Sequence, residues 1–142
     1  MSATPETVAR EWFEKVWNAG SEKAIHALLA PDARMHGLPT PDGQPLVGPA
    51  AFVPFWQKFR SAFPDIRVEV VRSVTQGDMV AVHCRVTGKH QGDQLGIAAT
   101  QKPVEMWGMG MARVQDGKIV EGWNSYDFMT MYQQIGLLPA LA

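Results

Sequence analysis

The stretch from Gly117 to Pro139, GKIVEGWNSYDFMTMYQQIGLLP, restricts the fold more than any other part of the chain. Asp116-Gly117 supplies residues that tolerate positive φ in a tight turn, so it reads as a hairpin turn feeding a strand from about Lys118 to Tyr126. The apolar period then lengthens: Phe128, Met131, Tyr132 and Ile135 fall at helical spacing, and Gly136 followed by Pro139 is a helix stop. A late strand therefore runs straight into a short terminal helix, with Asp127 at the junction. A carboxylate there has two readings. It is an N-cap that accepts amide hydrogens of the first turn, or it is an acid or base beside a pocket whose apolar walls raise its pKa.

The elements upstream must cover that strand. Thr4 and Pro5 open a first helix, in which Val8, Trp12, Phe13, Val16 and Trp17 make a wide apolar stripe before Gly20. Ser21 caps a second helix through about Ala30, and Asp32 to His36 reads as a short strand. Residues 37–49 hold four prolines and several glycines, the pattern of a loop that covers a cavity. Pro49 opens a third helix, with Phe52, Phe55, Trp56, Phe59 and Phe63 at helical spacing. Strands follow over Ile66 to Val74, Met79 to Gly88 and Pro103 to Val114, with an irregular stretch from Gly88 to Thr100. Turn-linked strands after a run of helices imply an α+β fold, an antiparallel sheet curled around the N-terminal helices into a cone. The chain of 142 residues reads as one domain, 1–142, without repeats or a linker.

Charge narrows the partners. A formal net charge of -1, with Lys and Arg scattered, argues against nucleic acid and against a membrane surface. No apolar run approaches the roughly 20 residues of a membrane span. The N-terminus lacks a basic segment followed by an apolar core, and the single Cys84 fits a reducing compartment. The expectation is a cytoplasmic protein whose one thiol is buried and inert.

Several motifs of the chain taken together resemble the SnoaL-like polyketide cyclase (ester cyclase) family. They are Gly117-Lys118-Ile119-Val120-Glu121, Trp123, Asp127 and Gln134-Ile135-Gly136, joined by Phe63-Pro64-Asp65 and by Gly88, His90 and Gly92. The resemblance covers most of the chain. It implies a nuclear transport factor 2-like (NTF2-like) cone with an apolar pocket, an apolar small-molecule ligand, no cofactor, and a homodimer paired through the outer face of the sheet. In that family a carboxylate near the end of the last strand is taken as the acid or base, helped by a polar residue on the preceding strand. Asp127 matches the acid. Gly110 stands at the helper position, and Asn124 follows the Trp where many relatives carry Asp; an amide does not exchange a proton near neutral pH.

The expected machinery follows from these positions. Asp127 shuttles a proton, with His36, Asn124 or Tyr126 donating hydrogen bonds to a developing oxyanion. Trp56, Trp107, Met109, Trp123, Tyr126 and His90 are candidate ligand contacts; Trp12, Phe13, Phe55 and Phe59 are aromatic candidates for the same wall or for plain core. Strand alternation puts Trp123, Ser125 and Asp127 on one face and Gly122, Asn124 and Tyr126 on the other. It likewise separates Glu105, Trp107, Met109, Met111 and Arg113 from Met106, Gly108, Gly110 and Ala112. His83 belongs on the outer side of the sheet and His26 in solvent. No histidine has ligand spacing, so no metal is expected, and signatures of nucleophile elbows, phosphate loops and dinucleotide sites are missing. Three functions follow: a cofactor-free cyclase or isomerase working by acid/base catalysis on an apolar carbonyl compound, a non-catalytic binding protein, or an enzyme like the epoxide hydrolases. The last needs two converging carboxylates with a basic partner such as Arg85 or Arg113.

Overall fold

Thr4 accepts the Thr7 amide hydrogen through its hydroxyl and starts α1, Pro5–Glu11, with Pro5 in its first turn. In the computed structural model, which describes residues 3–139, α1 widens without a break into a π-helical segment, Trp12–Asn18. The last carbonyls of a helix have no partner within it. The Val16 carbonyl accepts from Trp56 Nε1 at 2.8 Å, and the Trp17 carbonyl accepts from Arg60. Ser21 caps α2, Glu22–Leu28. That helix stops short of Ala30, because Leu29 turns to extended backbone and opens β1, Leu29–His36, where both Leu29 and Ala30 are buried.

After β2, Leu46–Val47, the long α3, Gly48–Ala62, buries Phe52, Phe55, Trp56 and Phe59. A meander follows: β3, Arg67–Gln76; β4, Met79–Lys89; β5, Pro103–Gln115; and β6, Lys118–Tyr126, which runs into α4, Phe128–Gln134. The sheet order is β2-β1-β6-β5-β4-β3. All neighbours are antiparallel except β1 and β6, which run parallel. The sheet is therefore mixed, correcting the expectation of antiparallel pairing throughout. Parallel neighbours need a long connection, and β2, α3 and the first three strands of the meander all lie between β1 and β6. At the far edge the Asn18 amide bonds both main-chain groups of Val68, Nδ2 to O at 3.0 Å and Oδ1 from N at 2.6 Å, which blunts the exposed rim of β3.

The sheet has one covered and one open face. Val80, Val82, Cys84 and Val86 of β4 point into the core with Met106 of β5. On the opposite face Trp107, Met109 and Met111 remain 41%, 55% and 48% exposed. No helix among the described residues is long and apolar enough to cross a membrane. Residues 1, 2 and 140–142, part of the expected single domain, lie outside the described residues.

Candidate functional site

Between the helices and the covered face of the sheet lies a cavity of ≈ 60 Å³. Its walls are Trp12, Phe13 and Trp17 from the first helix, Phe52, Phe55 and Phe59 from α3, Phe128 and Met131 from α4, and Leu38 from the loop after β1. The sheet contributes Met35, Met106, Asn124 and Tyr126 among others. A smaller space of ≈ 30 Å³ adjoins it and shares Trp12, Phe13, Met35 and Asn124. Among the described residues, none that lines either space carries an Asp, Glu, His, Lys or Arg side chain.

Two polar groups of β6 stand in this setting. Asn124 Nδ2 donates to the His36 carbonyl at 2.8 Å, which orients the amide and leaves one N–H and the Oδ1 lone pairs without a partner among the described residues. Tyr126 sits two residues on, on the same face. Cys84, Gly108 and Tyr126 form one cross-strand row, and a Cβ built on Gly108 would lie 2.1 Å from the Tyr126 ring. The glycine thus lets the phenol lie flat across β5 toward the Cys84 thiol. There the hydroxyl is enclosed without a hydrogen-bond partner. Burial pushes the phenol pKa well above its ordinary value, with Cys84 adding to the shift.

Asp127 is elsewhere. It is exposed, caps α4, and accepts the Thr130 amide at 3.0 Å on one oxygen and the Thr130 hydroxyl at 2.6 Å on the other. These two bonds, the hydroxyl's first, hold its carboxyl below the usual carboxylate range. It is not among the lining residues.

The other sequence candidates are dispersed. His36 pairs with Glu121 at 2.7 Å and stacks on Trp123, with ring centroids 5.9 Å apart, on the open face of the sheet. Trp107 and Met109 lie on that open face too, Trp107 against His83. Trp56 is buried beneath the cavity wall and bonded to Val16. His90 is fully buried and lines neither space. Gln91 and Gly92 donate to the Ala62 carbonyl, and the turn is drawn under the end of α3 against Phe63. Its Nδ1 accepts the Thr100 amide hydrogen at 3.1 Å, leaving Nε2 unpaired. Arg85 pairs with Glu105 and Arg113 with Asp78, both away from the cavities. Among the described residues, no three His, Cys, Asp or Glu side chains gather as a metal site would require.

Met35, Leu38, Phe128 and Met131 line the cavity without having been singled out from sequence. Met35 was accessible to reasoning: it alternates with His36, so one of the two faces inward, and apolar chemistry favours the thioether.

A family model described as SnoaL-like polyketide cyclase matches residues 7–135. Wild-type IdmH of Streptomyces antibioticus, a candidate polyketide cyclase, superposes with a TM-score of 0.81 at 33% identity, over 94% of this chain and 99% of that one. AclR of Streptomyces galilaeus, a candidate hydroxylase, gives 0.82 at 26% identity over 97% and 84%. A candidate SnoaL-like polyketide cyclase of Jannaschia sp. CCS1 shares the fold, with 0.82 at 22% identity over 97% and 95%. No curated protein sequence matches the chain.

Proposed function

The chain belongs to the SnoaL-like polyketide cyclase family, and on that premise we propose that it takes a neutral, apolar, carbonyl-bearing compound of polyketide type into the aromatic cavity and holds its carbonyl with the Asn124 amide. The observation that carries this reading is the uncharged lining: burying a charge there without a partner costs several kcal/mol, whereas an amide with a free N–H and a free oxygen suits a carbonyl and a neighbouring hydroxyl or enol. Aromatic walls whose rings meet one another tilted or edge-on fold and orient such a ligand for ring closure. Tyr126 belongs to the cavity wall, but its hydroxyl is enclosed toward Cys84, so Asn124 is the group that holds the ligand's oxygen.

Binding of a panel of aromatic ketones, read by quenching of Trp12 and Trp17 fluorescence, tests this. Asn124→Leu should weaken a ketone by about two- to tenfold, the value of one net hydrogen bond, while Asp127→Asn leaves it in place. The reverse pattern would overturn the assignment. The family's chemistry favours a second reading, acid/base catalysis at Asp127. It requires that Asp127→Asn abolish turnover in a folded protein; full retained activity removes Asp127 from it. The proposal includes a homodimer, supported by the apolar patch of Trp107, Met109 and Met111 on the open sheet face, and a cytoplasmic location, with which the free thiol of Cys84 agrees. Sedimentation should then show a dimer for the wild type and a monomer for Met109→Lys.

A further inference from the structure

Three glycines of the covered sheet face have different neighbours. A Cβ on Gly108 would strike the Tyr126 ring at 2.1 Å, and one on Gly122 would meet the Met35 thioether at 2.9 Å. Each leaves space that another side chain fills. At Gly110 the nearest atom to such a Cβ is the Trp123 carbonyl oxygen at 3.5 Å, followed by Asn124 Oδ1 at 3.7 Å and Val82 at 3.8 Å, all ordinary contacts. Packing does not demand a glycine there, and the room above it is the smaller space of ≈ 30 Å³, which Ala9, Ala112 and Gly122 also line.

That space is large enough for water, which needs about 10–15 Å³, but a buried water also needs two to four polar partners. Asn124 and Trp12 are the only lining residues with polar side-chain groups. Apart from these two residues the lining is hydrocarbon, which suits an alkyl group. It is separated from the main cavity by side chains common to both, of which Met35 is unbranched and re-packs readily.

We propose that the room above Gly110 is a second compartment of the ligand site. It receives a short alkyl group or the edge of a ring attached to the carbonyl that Asn124 holds, and it joins the main cavity when the Met35 side chain swings aside. The compartment rests on the proposed ligand reading and adds a limit on the ligand: one arm of the carbonyl is a small, uncharged hydrocarbon. Gly110 is then a specificity-determining position.

Phenyl alkyl ketones of increasing chain length, from acetophenone to hexanophenone, test it on the full-length protein by tryptophan fluorescence. In the wild type the affinity should rise by about fourfold per methylene over the first additions, the value of burying a methylene. Gly110→Ala, whose methyl fits at ordinary contact distance, should shorten that rise, and Gly110→Val should abolish it, so that the ratio of butyrophenone to acetophenone affinity falls toward one. The same chain-length dependence in all three proteins, or none in the wild type, would overturn the compartment while leaving the ketone site standing. Failure of every ketone to bind the wild type would overturn the ligand reading itself, and the compartment with it.

Discussion

Replacing Tyr126 by Phe should stabilise the ligand-free protein. The ring is held in place by shape, lying over Gly108 in the row that ends at Cys84, and Phe retains that packing. What is lost is the hydroxyl, which is enclosed and has no hydrogen-bond partner. A buried polar group left unpaired costs about 1–3 kcal/mol; the adjacent thiol, a weak donor and weak acceptor, offsets part of that. The net gain is then about 1 kcal/mol. In urea unfolding at a slope of about 2 kcal/mol/M, that moves the midpoint up by roughly 0.5 M, and in a thermal scan by about 3 °C. Because burial pushes the phenol well above its ordinary pKa, the hydroxyl is neutral in both neutral and mildly alkaline buffer. The gain should therefore be flat from pH 6 to 9. The assay is equilibrium unfolding of both proteins without ligand, with equal slopes as the check on comparability. A loss of 1 kcal/mol or more on removing the hydroxyl would refute the reasoning, since it would mean that the group is already well partnered in the free protein.

Further expectations concern neighbouring positions. Gly108→Ala and Gly110→Ala should change stability in opposite directions. At 108 the Tyr126 ring must retreat by roughly 1.4 Å to reach ordinary contact, and overpacking of about 1–3 kcal/mol exceeds the about 0.5–1 kcal/mol gained by removing a strand glycine; at 110 only the gain applies. Asp127→Ala should cost about 1 kcal/mol through loss of the α4 cap, seen as faster amide exchange over Phe128–Gln134. Its folded pKa is lowered, so its contribution is fully present above the ordinary carboxylate pKa and is lost as pH falls through the depressed value. A cap contribution that grows on acidification would contradict this. Cys84 is fully buried, and burial pushes its thiol pKa up. An aromatic disulfide reagent should thus label it only at the rate of unfolding, and rapid labelling of the native protein would contradict its placement.

Much of this architecture was legible before any coordinates. The hairpin at Asp116-Gly117 and the change of period after Tyr126 locate β6 and the helix that follows it, because turn chemistry and apolar spacing are local properties. Strand alternation also sorted β5 and β6 correctly into two faces. It did not say which face of β5 was covered. Large apolar side chains suggest the inside, yet Trp107, Met109 and Met111 lie outside, because the other face of β5 accommodates the Tyr126 ring at Gly108, while Met35 of β1 lies against Gly122 of β6 beside it. Those are contacts between residues far apart in sequence, and alternation within one strand does not report them. The same limit applies to His90, buried by a turn that returns beneath α3, and to β1, whose parallel pairing with β6 joins the two ends of the chain. Asp127 illustrates a further ambiguity: capping and proton transfer call for the same residue at the same junction, and the structure shows the cap in the Thr130 bonds of an exposed carboxylate.

The most direct test of the central claim, a ligand carbonyl held by a neutral amide in an uncharged cavity, is the infrared stretching frequency of a bound aromatic ketone carrying a 13C-labelled carbonyl. The account predicts a shift to lower frequency in the wild type, its loss in Asn124→Leu, and its persistence in Asp127→Asn. A shift that survives Asn124→Leu and disappears in Asp127→Asn would contradict the account and return the carbonyl to the carboxylate at the end of the strand.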